Sequence, residues 1–403
     1  MSGTHADASD PRMPLEGIRV AEAATMYAGP FAGRILCDLG AEVIKIEDPQ
    51  GGDPARRLPP LKDGVSLGFA RMNVNKKSVA LDLRAAADRD RLLALLGSCD
   101  VFIEGFRPGR LSSWALSDGR LQEANEQLVI VHISGFGQGT ARQGPGFGTM
   151  ADAISGFAYV NGWPSDPPTV SPFGLADCIA GISAALSATV GLVRSARHGR
   201  GSRADIALYE PLLGVMGDLV ARYTALGTVE SRSGNQANKN TSPRGVYQTS
   251  DGHWVVIAGS SQSVVERLFR VMGRPEMNDD PRFASNAARV RNDEIVDAIV
   301  AEWISRQAKD KLLASLEEAG VAAAPVNSAA DIVADEHLRA RSLRPLTDPV
   351  LGQILVPGPV FHLDDWTPAP YDHLPALDED GDQIWAAVAG RAPAEPGKTV
   401  DHR

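Results

Sequence analysis

The residue best placed to do chemistry is Asp177, in the run Phe173-Gly174-Leu175-Ala176-Asp177-Cys178. A glycine-bearing loop there feeds into Ala176–Arg197, where Ile179, Ile182, Leu186, Val190 and Val193 recur near helical spacing and Gly199 stops the pattern. A carboxylate in the first turn of a helix meets unpaired N–H groups and the positive end of the dipole, which should hold it ionised. That setting suits a carboxylate nucleophile. It suits an ordinary N-cap equally well, since Asp is among the preferred capping residues.

Other candidates lie after apolar runs. Gly135-Phe136-Gly137-Gln138-Gly139 could present the backbone N–H groups of Gly135 and Gly137 to a developing oxyanion, or could simply be a mobile loop. Basic residues gather at comparable places: Arg71, Lys76 and Lys77, then Arg107 and Arg110. In an acidic protein this clustering suits a polyanionic ligand, with plain surface charge as the alternative. Cys178 reads as a packed thiol and His132, inside an apolar strand, as a hydrogen-bonded core residue.

The elements that must position these groups alternate. Strands are expected at Ile18–Val20, Glu42–Glu47, Ser78–Leu83, Val101–Glu104, Leu128–Ser134 and Arg203–Leu208, with helices at Ala28–Leu39, Ala85–Leu96 and Met150–Val160. Such alternation predicts βαβ units in a parallel, doubly wound sheet, with ligands at the carboxyl ends of its strands. After a polar stretch at Glu230–Pro243, a second unit is expected: strand Trp254–Ala258, helices Val264–Met272, Asn292–Gln307 and Lys309–Ala319, and a strand within Gly320–Val326. An amphipathic piece near Gln383–Val388 interrupts a Pro- and Asp-rich tail.

Composition narrows the function. A chain of 403 residues predicts two domains. Forty Lys and Arg against fifty Asp and Glu give a net charge of −10, which argues against nucleic-acid or anionic-membrane binding. No apolar run of membrane-spanning length is expected, and Met1–Met13 reads as a disordered tail. Three scattered cysteines fit a reducing cytoplasm. The eight histidines show no metal-binding spacing. The first turn, Glu22–Pro30, lacks G-x-G-x-x-G, so Glu47 reads as a solvated strand end and not as the ribose ligand of a nicotinamide enzyme. No G-x-S-x-G occurs.

In order along the chain, Pro14–Val20, Ala28-Gly29-Pro30, Asp38–Glu47, Gly52-Asp53-Pro54, Asn73–Ser78, Phe106–Gly109, Ser134–Gly137, Gly199-Arg200-Gly201 and Pro325-Val326-Asn327 resemble the family III CoA-transferases. That group includes formyl-CoA transferase and the carnitine CoA-transferases, and shares its scaffold with the alpha-methylacyl-CoA racemases. The resemblance implies an α/β fold: a large Rossmann-like domain with a parallel sheet, a smaller α+β domain, and an interlocked homodimer. It places the first part of the large CoA-binding domain at residues 14–228, the small domain with its linkers at 229–328, and the return to the large domain at 329–403. It implies that Asp177 attacks an acyl-CoA thioester, forming an aspartyl anhydride and then an aspartyl-CoA thioester, with a small carboxylic acid as acceptor. Coenzyme A is then a substrate, and neither metal nor nicotinamide is called for. Tyr27, Asn75, Lys76, Lys77, Phe106 and Arg107 become the candidates for CoA contacts. The racemases have a His where this chain has Phe147, a side chain that cannot exchange a proton. An epimerase and a non-catalytic CoA-binding paralogue are the alternatives. Tyr27 and Asp48 also depart from formyl-CoA transferase, which has Gln and Arg there.

Overall fold

A computed structural model describes residues 13–140, 142, 144–236, 240–364 and 366–390. Residues 1–12, the bulk of the expected disordered tail, lie outside the described residues. The chain divides into two compact units: one takes the described residues up to 157, 170–218 and those from 340 on; the other takes 158–169 and 219–339.

The first unit is built on six strands: β1 (Arg19–Ala23), β2 (Glu42–Glu47), β3 (Lys77–Ala80), β4 (Val101–Glu104), β5 (Val129–Ser134) and β6 (Arg203–Ala207). All pair in parallel, in the spatial order β3-β2-β1-β4-β5-β6. Runs such as Val101-Phe102-Ile103 are buried throughout, as a sheet covered on both faces requires. Helices α1 (Ala28–Asp38), α2 (Leu67–Asn73), α3 (Ala86–Leu96), α4 (Asp118–Ala124), α5 (Gly148–Ile154) and α6 (Leu175–His198) follow in sequence. One face of the sheet packs on α1 and α6. The other packs on α3, α4 and the last helix, Gly381–Ala389. The single helix expected over Met150–Val160 is two short ones, parted at Gly156, whose φ of +91° breaks the run. The hairpin β10 (Leu343–Asp348)–β11 (Gly352–Pro357) also belongs to this unit; its strands are too exposed and too Pro-bearing to declare themselves in sequence.

Helix α6 has two unlike faces. Ala180, Ala184, Ala188 and Gly191 form a buried stripe so close to the sheet that a Cβ on Gly191 would lie 2.4 Å from Val129 Cγ1. Ile182, Leu186, Val190 and Val193, on the opposite face, are 46–63% exposed. At 24 residues α6 is long and apolar enough to cross a bilayer by length and composition, contrary to the expectation from sequence. Its small-residue face instead packs on α1 and β5.

A charge cluster fills the space below the ends of β1 and β2. Lys45 Nζ lies 2.9 Å from both Glu22 and Asp53, and Lys76 Nζ lies 2.6 Å from Glu22, all of these side chains being fully buried. Burial alone would lower the Lys45 pKa, yet its carboxylate neighbours, Glu22 first, drive it upward. Glu47, expected to be solvated, is also buried: it accepts from Arg56, Ser78 Oγ and the Asp53 N–H.

The second unit pairs β7 (Arg244–Gln248), β8 (Trp254–Ala258) and β9 (Ala323–Pro325) antiparallel, with β8 central. Helices Gln262–Val271, Asp293–Ile304 and Lys309–Glu318 close one hydrophobic core over them. Strand β7 and the short helices Asn286–Arg291 and Ala329–Ala334 are absent from the sequence reading.

Candidate active site

The carboxyl ends of four strands open onto one cavity of about 240 Å³. Beyond β1 the chain supplies Ala24 through Gly29, beyond β4 Gly105 through Pro108, beyond β5 Gly135 and Phe136, and beyond β6 Leu208. β1 and β4 are the neighbours between which the chain reverses direction across the sheet, the switch point where such folds take ligands. Asp177 completes the wall.

Gly174 is the N-cap of α6, so Asp177 is the third helical residue and caps nothing. A Cβ on Gly148, the first residue of α5, would fall 2.0 Å from Asp177 Oδ2, and one on Gly174 3.0 Å away. The carboxylate is thus wedged between two glycine backbones. Among the described residues no hydrogen bond ends on it. Burial, with the nearby Asp152 charge as a smaller contribution, pushes its pKa up to about 6. The helix terminus was expected to hold the group fully ionised; loss of water outweighs the dipole. It remains ionised in most molecules at neutral pH.

Of the other sequence candidates, Tyr27, Phe106, Arg107 and Gly135 line this cavity. Tyr27 is the N-cap of α1 and packs against Gly174. Phe106 stands edge-on to Trp114, with ring centroids 5.3 Å apart. It also borders a second cleft of about 490 Å³ that runs past Asp48, Arg57, Leu81, Asp82 and Arg84. Arg107 is exposed and has no acidic partner among the described residues. Gly135 passes so close to Gly146 that a Cβ on it would lie 2.6 Å from the Gly146 Cα.

Four candidates lie elsewhere. Lys76 is fully buried, bonded to Glu22, the Pro30 carbonyl and Asn73, and therefore cannot meet a phosphate; burial pushes its pKa down to about 8, with Glu22 pulling the other way. Lys77 pairs with Glu42 at 2.7 Å, near the start of β2. Asn75 donates to the Pro370 carbonyl and is tied to His373. Gly137 donates its N–H to Ser134 Oγ, which removes it as an oxyanion donor. Cys178, beside Asp177, is held largely protonated: burial raises its pKa, partly opposed by Arg71. His132 sits between Glu104 at 2.7 Å and Asp118 at 3.2 Å, outside the cavity wall.

The sequence reading passed over Arg142, Gly148 and Asp152. Arg142 lines the cavity and lies over the Phe136 ring, 5.7 Å from its centroid. Phe147, 66% exposed, lines the same wall. Gly148 and Asp152 are four residues apart on one helix, a spacing that shares a face, and this could have drawn attention to them.

The arrangement is a lone, poorly solvated carboxylate facing an apolar wall with two arginines. It can attack an electrophilic carbonyl without first shedding a full hydration shell. The whole chain can be set beside known proteins. Succinyl-CoA--D-citramalate CoA-transferase of Chloroflexus aurantiacus is 36% identical over 389 residues, covering 94% of this chain and 95% of its own. Succinate--glutarate CoA-transferase of Agrobacterium fabrum is 34% identical, covering 84% and 86%. The crystal structure of a CAIB/BAIF family protein from Brucella suis superposes with a TM-score of 0.81 at 31% identity, over 93% of this chain and 99% of that one. Residues 15–381 match the CoA-transferase family III, and the chain belongs to that family.

Proposed function

We propose that this enzyme moves coenzyme A from an acyl-CoA to a small carboxylic acid through covalent intermediates on Asp177. An Asp177 oxygen attacks the thioester carbonyl; the C–S bond breaks, leaving a mixed anhydride and CoA thiolate. The thiolate attacks the Asp177 carbonyl carbon, releasing the donor as its carboxylate and leaving an aspartyl-CoA thioester. The acceptor carboxylate attacks that thioester and expels the thiolate, which then attacks the acceptor's acyl carbon and restores the Asp177 carboxylate. No proton or electron is left over, so no metal or redox partner is required.

The observation that carries this reading is the Asp177 carboxylate itself, unengaged and wedged against Gly148 and Gly174 in the wall of the strand-end cavity. Pre-alignment with a bound thioester supplies much of the rate. Phe106 and Arg107 are suited to the CoA portion, Phe106 joining the cavity to the second cleft along which a long ligand could extend. The two transferases named above are named for succinate, citramalate and glutarate, all dicarboxylic acids, and Arg142 would suit a second carboxylate on the donor or acceptor. Phe147 in the wall argues against an epimerase, which needs an acid/base group on each face of the substrate.

The large CoA-binding domain and the smaller α+β domain belong to this proposal, as does an interlocked homodimer. The exposed apolar face of α6 supports dimer formation, since a row of four large aliphatic side chains on one helix is the kind of surface a second copy covers. Light scattering at micromolar concentration should give twice the mass of the chain. For the chemistry, incubation with succinyl-CoA followed by hydroxylamine should leave a hydroxamate on Asp177 in the peptide mass spectrum, and Asp177→Ala should bind CoA without transferring it. Retained turnover in Asp177→Ala would remove the nucleophile.

A further inference from the structure

Asp152 is an unusual thing to find in the wall behind a nucleophile. It is 2% exposed, on α5, one helical turn beyond the Gly148 whose backbone touches Asp177. Its Oδ2 accepts the Ser171 N–H at 3.0 Å, in the loop that leads to the start of α6. Its Oδ1 is buried without a hydrogen-bond partner among the described residues. An orphaned acceptor on a buried carboxylate is costly, and folded proteins seldom retain one without a use. A neutral asparagine would hold the Ser171 N–H equally well, so anchoring the loop does not by itself account for the charge.

We infer that Asp152 is a positioning residue for Asp177: it pins the loop ahead of α6 and sets a second buried negative charge beside the nucleophile. The inference rests on Asp177 being the group that attacks the thioester. Two neighbouring carboxylates repel each other in a site with little water. When Asp177 becomes acylated it loses its charge and the repulsion ends, so each covalent intermediate is favoured over the free carboxylate. The same repulsion makes the attacking oxygen more basic, the direction that improves attack on a carbonyl. Asp152 itself does not line the cavity and touches no reacting atom. The other ionisable groups around the pair are Tyr27, Arg107 and Arg142 in the cavity wall, Cys178 next along α6, and Arg71 beside Cys178.

A carbon-13 carboxylate titration of the full-length protein tests the idea without requiring turnover. The Asp177 resonance is assigned by its disappearance in Asp177→Asn. The wild type should titrate near pH 6, and Asp152→Asn should bring the midpoint down by about one pH unit. In parallel, kcat and the steady-state fraction of acylated enzyme should fall in Asp152→Asn while the affinity for CoA holds. An unmoved midpoint overturns the inference, even if kcat drops, because Asp152 would then be support for the Ser171 loop alone. Asp152→Ser is a second neutral replacement should Asn fold poorly, and a wild-type midpoint near 4 refutes the coupling whatever the variants do. A midpoint that moves in a protein with no transferase activity would refute the proposed reaction and leave the coupling standing.

Discussion

Replacing Asp177 by a neutral residue should make the protein more stable, and only above a defined pH. Asp177 titrates near 6 in the folded chain against 3.8 for an unhindered aspartate, a gap of about two units. Each unit is worth about 1.4 kcal/mol, so carrying the charge costs the fold about 3 kcal/mol. The sign follows from linkage: the folded state binds the proton more tightly, so the penalty is absent below pH 3.8, grows between 3.8 and 6, and is complete above about 6. Asp177→Asn keeps the shape and discards the charge. The pKa gap already contains every interaction of that charge, the helix dipole included, so removing it leaves a net gain of about 3 kcal/mol at pH 8. The assay is the difference in thermal midpoint between variant and wild type, recorded from pH 4 to pH 8, because other titrations cancel in the difference. The offset should be near zero at pH 4 and should rise by about 3 °C through pH 6. A pH-independent offset, or an Asn variant less stable at pH 8, would show that the carboxylate is not held in a poorly hydrated place.

Other substitutions separate structure from chemistry. Gly148→Ala puts a methyl 2.0 Å from Asp177 Oδ2 and must push the carboxylate aside; a displacement of about 1 Å should cost turnover about 100-fold with the fold intact, and a wild-type rate would refute the close contact. Arg107→Ala should weaken CoA binding about 10- to 100-fold by calorimetry, the worth of a lost charged hydrogen bond, while Lys77→Ala should leave it unchanged. Lys76→Met should destabilise the fold by about 3–5 kcal/mol in chemical denaturation, since Glu22 would be left with Lys45 alone. Weakened CoA binding in a fully stable Lys76→Met would return that lysine to the site.

Much of this architecture can be read from the chain because its central strands are buried on both faces. Glu42–Glu47 and Val101–Glu104 coincide with the expected segments to the residue, as does Trp254–Ala258, which is buried on one face only but is apolar throughout. The strand β7 and the β10–β11 hairpin lack such runs and did not stand out. At the site, Gly135 and Arg107 draw attention because they follow strands, Tyr27 and Phe106 only through the family resemblance, and all four line the cavity. Lys76 misled because a cation after a helix looks the same in sequence whether it faces water or a carboxylate 54 residues away. Gly137 misled for a local reason, its N–H being taken by a serine three residues earlier. The carboxylate Asp152 and the glycine Gly148 acquire meaning only from the packing of α5 on α6, which no segment states by itself.

Asp177 rides at one end of a rod seated along the sheet by a seam of alanine and glycine. Gly191 lies 14 residues beyond Asp177 on that rod, about 21 Å away at 1.5 Å per residue. Any side chain there would prise the far end away from Val129, and the seam would act as a fulcrum that swings the near end the other way. Tolerance to mutation is therefore narrowed along the whole length of the helix, and a change remote from the cavity can disarm the enzyme without entering it.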